Sequence, residues 1–163
     1  MGVRDSRRGL DVALEGVRAS IVEALEVFYH ALSLAANYDD ATPAQQRPMH
    51  HMLHKCLAQY KKWAASCEAN YGHAAALIEG EIARINRDPH AAGFYHKAIE
   101  LARENKLVHM EALAHELLSK FMLRQGLTEA AFVYLREAAS LYDRWGATLK
   151  VNLLKETLQK LFP

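Results

Sequence analysis

An internal repeat restricts the fold of this chain more than any other feature. The stretch Phe94-Tyr95-His96-Lys97-Ala98-Ile99-Glu100-Leu101-Ala102 returns forty positions later as Tyr134-Leu135-Arg136-Glu137-Ala138-Ala139-Ser140-Leu141-Tyr142, matching in character position for position. A helix of similar length precedes each copy, Ala75 to Arg84 and Ala112 to Arg124, so the repeating unit is a helix, a tight turn and a second helix. A single unit cannot bury its apolar face, whereas stacked units share a continuous core. The expected fold is therefore all-α, an α-α superhelix of antiparallel helix hairpins.

Punctuation elsewhere divides the rest of the chain into helices. Leu10, Leu14, Val17, Ile21, Leu25, Phe28 and Leu32 step by three or four and draw one apolar stripe on a first helix. Thr42, Pro43 and Gln45 read as an N-cap, a first-turn proline and the third position of a capping box. Pro48 lies past the free first turn, which predicts either a kink or a later helix start. Asp88 and Pro89 end one helix and open the next; Gly126 and Gly146 supply left-handed stops, and Thr128 can cap. Seven helices are predicted, near 9–37, 44–69, 73–86, 89–105, 108–124, 128–145 and 148–161, with no strand. They form one domain over 1–163: a divergent hairpin over 1–70, two clear repeats over 71–146 and a capping helix over 147–163.

Bulk properties narrow the function. The chain has 163 residues, 51% hydrophobic and 24% charged, which suits a folded domain able to bury a core. Twenty Lys and Arg stand against nineteen Asp and Glu, so no net field would gather nucleic acid or an anionic membrane. No apolar run reaches the length of a membrane span. Cys56 and Cys67, both placed on the second helix, are too far apart along its axis to pair, and two unpaired thiols suit a reducing cytoplasm. Gly2 and Ser6 satisfy the loose N-myristoylation pattern, which carries meaning only outside bacteria.

Ala91, Tyr95 and Ala98, repeated as Ala131, Leu135 and Ala138, resemble the small, aromatic, small spacing of the second helix of tetratricopeptide repeats, with Gly126 at the family's turn glycine. The forty-residue period exceeds the family's usual thirty-four, consistent with longer second helices. A narrower resemblance runs from Lys61-Lys62-Trp63-Ala64-Ala65-Ser66-Cys67 through Tyr71-Gly72-His73, Glu79 to Arg84, Ala98 to Asn105 and Glu111 to Leu117, ending at Ala138 to Lys150 with Arg144-Trp145-Gly146-Ala147. These segments are similar to the helical-repeat region of very large bacterial signalling proteins that join a serine/threonine kinase-like domain and an ATP-binding domain to GAF and sensor histidine kinase domains. The resemblance implies a non-catalytic scaffold or relay between the nucleotide-binding and sensor halves, in contact with neighbouring domains or with another copy of itself. None of that family's catalytic modules is present, and the first forty residues share only its amphipathic character.

Chemistry is sparse. No glycine-rich phosphate loop, nucleophile elbow, paired-cysteine zinc motif or calcium loop occurs, so the chain is read as not an enzyme, with no cofactor. His50 and His54 would share a helix face, and with His51 they form the one cluster that invites a metal reading; Cys56 points elsewhere, and Asp39 and Asp40 are the nearest acids in sequence. A His-rich polar face is the simpler account. His109 and His115 have no serine or cysteine partner in a catalytic setting. The remaining candidate is the concave surface lined by the first helices of stacked hairpins, suited to a peptide or helix. Repeat alignment places His73, Ala76, Gly80, Arg84, Leu113, Glu116, Lys120 and Arg124 there. Gly80 and Leu117 fall where tetratricopeptide clamps for C-terminal carboxylates carry Asn, which argues against that specialisation. Two further readings are a stand-alone peptide-binding adaptor and, more remotely, a metal-binding protein built on the His50, His51 and His54 cluster.

Overall fold

The computed structural model describes residues 21–162, and every regular element in that range is a helix. After α1 (residues 21–36) come α2 (Pro43–Ser66), α3 (Glu68–Ile85), α4 (Ala91–Glu104), α5 (Val108–Arg124), α6 (Thr128–Trp145) and α7 (Thr148–Leu161). The last three match the bounds expected from sequence to the residue. The expected start of the first helix near residue 9, and the Gly2 and Ser6 pattern, lie outside the described residues. No described helix is long and apolar enough to cross a membrane.

From α2 onward each helix packs on its neighbours in the chain, and α3 also touches α5. The outer helices show the expected stripes. In α4 the buried positions are Ala91, Tyr95, Ala98, Ile99 and Ala102, and in α6 they include Ala131, Leu135, Ala138 and Tyr142. α3 differs, with an unbroken buried run from Gly72 to Ile78, because neighbours enclose it on several sides. Gly80 marks the closest approach of α3 to α4: a Cβ there would sit 3.2 Å from the Tyr95 ring and 3.4 Å from Phe94 Cβ. Ser119 takes the matching place on α5, where its hydroxyl donates to the Ala131 carbonyl at 2.7 Å. Small residues at both crossings let the helix axes close up while the bulky residue opposite fills the groove.

One turn geometry is used four times. The αL residue is Arg87, Lys106, Gly126 and Gly146 in succession, with φ of 56°, 58°, 74° and 86°. Each time the next N–H reaches back five residues: Asp88 to Ala83, Leu107 to Ala102, Leu127 to Met122 and Ala147 to Tyr142, at 2.8–2.9 Å. The αL residue itself donates to the carbonyl three residues back. This pair of bonds is the Schellman motif, which satisfies carbonyls that a helix end otherwise leaves open. These stops recur about every twenty residues, so the forty-residue period is two helices closed in the same way; the longer second helix expected from the period is not found in the first repeat, where α4 has 14 residues against 18 in α3.

The second helix departs from expectation. The break before α3 falls at Cys67, not at Gly72, so Cys67 occupies the link instead of sharing α2 with Cys56; both thiols are free. Gly72 lies inside α3, where a Cβ would meet Glu68 Cγ at 2.8 Å and Leu101 Cδ1 at 3.3 Å. It answers a packing need and not a turn. α2 starts at Pro43, with the Gln45 carbonyl oxygen accepting from the Thr42 N–H at 3.0 Å and from its hydroxyl at 2.8 Å. Pro48 is carried inside the helix, and Ala44, whose carbonyl loses its partner, is exposed to water.

Gly126→Ala should cost about 1 kcal/mol, because its surroundings are open and only the left-handed backbone resists a Cβ. Lys106→Ala should cost less than about 0.5 kcal/mol, because a Cβ is already accommodated there. Urea unfolding midpoints of the two variants check the contrast.

Candidate functional site

The eight positions assigned to a concave surface separate in the structure. His73, Ala76, Gly80, Arg84 and Glu116 are buried, Leu113 is half-buried, and only Lys120 and Arg124 are exposed. The five buried residues hold helices together and are not open to a partner. Alignment with a repeat fixes which helix a residue occupies, but α3 is covered on faces that an isolated hairpin would leave free.

Two of these buried residues anchor polar networks. Arg84 Nε donates to Glu81 at 2.8 Å, one terminal nitrogen donates to Asp39 at 2.8 Å and the other to the Ala35 carbonyl at 2.7 Å. The Tyr95 hydroxyl donates to the second Glu81 oxygen at 2.7 Å. α3 is thereby tied to α1, to the α1–α2 link and to α4. Burial alone would lower the Arg84 guanidinium, but Glu81 and Asp39 outweigh it and hold it above its ordinary value. Burial, and then the Glu81 carboxylate, push the Tyr95 phenol far up.

In the second network Glu116, 3% exposed, accepts from Lys120 at 2.8 Å, from Lys150 of α7 at 2.9 Å and from the Tyr142 hydroxyl at 3.2 Å. Burial works to raise this carboxyl, yet the two lysines overcome it and leave it below the usual carboxylate range. Removing the negative charge should have unequal effects. Glu81→Gln leaves a guanidinium in the interior without its main counter-charge and should cost about 3 kcal/mol. Glu116→Gln leaves lysines that already reach solvent and should cost nearer 1 kcal/mol, both read from chemical denaturation.

The histidines of α2 meet no third metal-ligating side chain among the described residues. His50 and His54 stack edge to face at 4.6 Å, but His50 Nε2 is engaged by Asn86 Oδ1 at 3.0 Å. Asp39 is committed to Arg84. Among the described residues no group of three or more His, Cys, Asp or Glu is placed to hold a metal ion. Partial burial, then His50 and His51, keep His54 below its ordinary value.

Sequence reasoning missed a cavity of about 340 Å³ between α1, α2, α3 and the start of α5. Phe28, Tyr60, Tyr71, His73 and His109 are on its wall. His73 is 6% exposed, and its Nδ1 is buried without a hydrogen-bond partner. On the far side of the wall His109 stacks on Trp145 at 5.1 Å. Burial, and secondarily His109, lower the His73 imidazole to about 4. Comparison with family models, with curated proteins and with solved structures found no match to this chain.

Because His73 is held below the unfolded value of about 6.5, the fold favours its neutral form. Its contribution to stability is complete above about pH 6.5 and should fall as pH drops toward 4, by roughly 3 kcal/mol in all. His115, buried and also lowered, acts in the same direction. His73→Leu should flatten the unfolding free energy between pH 6.5 and 4; a profile as steep as wild type would assign the loss to other groups.

Proposed function

We propose that this chain is a non-catalytic helical-repeat interaction module of the tetratricopeptide-like kind, acting by contact with neighbouring domains or with another copy of itself. The reading of stacked hairpins is supported by the four equivalent turns and by helices that pack on their chain neighbours. The observation that carries the interaction role is the free side of α7. Leu149 is 83% exposed and Leu153, one turn on, is 59% exposed, beside Trp145 at 56%. Val151 and Leu154 of the same helix are buried inward, so α7 is apolar on both sides. A helix that is apolar on two faces normally has a partner on each.

A relay between nucleotide-binding and sensor domains of a bacterial signalling protein is the more specific form of this proposal. It rests on the resemblance carried by Lys61 to Cys67, Glu79 to Arg84, Ala98 to Asn105 and Arg144 to Ala147. Lys120 and Arg124 remain as exposed groove cations, and the buried groove positions serve the stack itself.

The isolated chain should self-associate as its concentration rises through tens of micromolar, an order of magnitude usual for weak apolar contacts. Leu149→Glu combined with Leu153→Glu should return it to monomer without lowering its melting temperature, since both side chains already face solvent. Sedimentation velocity reads the outcome, and a wild-type chain that stays monomeric to high concentration would refute this use of α7.

A further inference from the structure

The cavity between α1, α2, α3 and α5 has a mainly apolar wall that includes a buried histidine. No Lys, Arg, Asp or Glu lines it among the described residues. The wall is mainly aliphatic and aromatic, with Phe28, Tyr60 and Tyr71 supplying rings. The Tyr60 hydroxyl is already engaged, donating to the Ala24 carbonyl. Polar character on the wall comes from Asn70, His109 and above all His73.

His73 is more than nine-tenths buried, and its Nδ1 is buried without a hydrogen-bond partner among the described residues. A neutral imidazole carries one donor and one acceptor. A ring nitrogen left unpaired in the interior costs on the order of 1–3 kcal/mol, and the ring that carries it lines the cavity, where a bound molecule can engage it. His115 is buried to the same degree without partners, but it does not line this cavity and cannot serve in that way.

We propose that this cavity binds an uncharged, mainly aromatic small molecule bearing one hydroxyl or N–H group that hydrogen-bonds with the His73 imidazole. About 340 Å³ lies at the small end of ligand sites and suits a body of roughly ten to fifteen non-hydrogen atoms. Anions and cations are disfavoured, because among the described residues the wall offers no opposite charge to replace the water they would give up. Apolar walls supply affinity and a single polar group fixes orientation, the usual division of labour in such pockets. This site is separate from the free face of α7, so either proposal can fail without the other.

Isothermal titration calorimetry of the full chain at pH 7.5 tests the proposal with 1-naphthol as probe. Its comparators are 1-methoxynaphthalene, which cannot donate, and 1-naphthoate, which is anionic. Saturable binding of 1-naphthol with one site per chain is expected, at least tenfold tighter than that of 1-naphthoate. His73→Leu should weaken 1-naphthol about five- to tenfold and bring it level with 1-methoxynaphthalene, the loss expected for one hydrogen bond. Leu25→Trp, at a half-exposed wall position where a larger side chain can turn inward, should reduce binding more than tenfold while circular dichroism shows the fold retained. Absence of saturable 1-naphthol binding to the wild type would overturn the proposal. So would binding that is unchanged in both folded variants, since the molecule would then lie elsewhere.

Discussion

The buried guanidinium of Arg84 is the constraint on which the rest of the arrangement depends. A charge in the interior is tolerated only when its donors are matched, and here three acceptors from three parts of the chain converge on it: Glu81 on its own helix, Asp39 in the α1–α2 link and the carbonyl of Ala35 at the end of α1. Glu81 in turn receives the Tyr95 hydroxyl, and Tyr95 is the residue whose ring lies against Gly80. The close approach of α3 and α4 and the seating of α1 are thus settled by one connected set of bonds. An apolar replacement could fill the same space, but it would not specify which loop and which carbonyl must meet α3. The Glu116 network repeats the idea nearer the C-terminus, where a carboxylate draws α6 and α7 onto α5.

Much of this was legible in the sequence. The repeat of Phe94 to Ala102 at Tyr134 to Tyr142 predicts paired helices, and the ends of α5 and α6 follow from Gly126 and Gly146, which take the left-handed conformation; Thr128, expected to cap, is instead the first helical residue of α6 and makes no cap hydrogen bond. Arg87 and Lys106 make the same left-handed turn without a glycine, so sequence gives them no distinguishing mark. Cys67 likewise carries no signal for a break, while Gly72 carries one that belongs to packing. Which face of α3 meets solvent is a property of four helices together. For that reason His73, Ala76, Gly80, Arg84 and Glu116 were placed on the right helices but on a surface that is covered.

Function follows from where apolar surface is left over. The middle of the stack is enclosed: the buried charges of α3, Glu81 and Arg84, are paired, and its buried atom without a partner is His73 Nδ1, in a ring beside a cavity. The far end is different: among the described residues α7 packs along α6, and the Lys150 ion pair and the Val151 and Leu154 side chains tie it to α5. Phe162, edge to face with Phe132 at 5.1 Å, fastens its end. An enclosed interior beside a helix with exposed Leu149 and Leu153 is the arrangement on which the proposed interaction role rests.

Amide hydrogen exchange on the dilute chain tests the central claim most directly, namely that helices held by neighbours on both sides form the stable unit and α7 is its open end. Amides of α3 and α5 should be the slowest to exchange and those of α7 the fastest of the helices from α3 onward, with protection falling from α5 through α6 to α7. Protection in α7 equal to that in α3 under monomeric conditions would contradict the account, because a helix packed on one side would then be as strongly held as one enclosed by its neighbours.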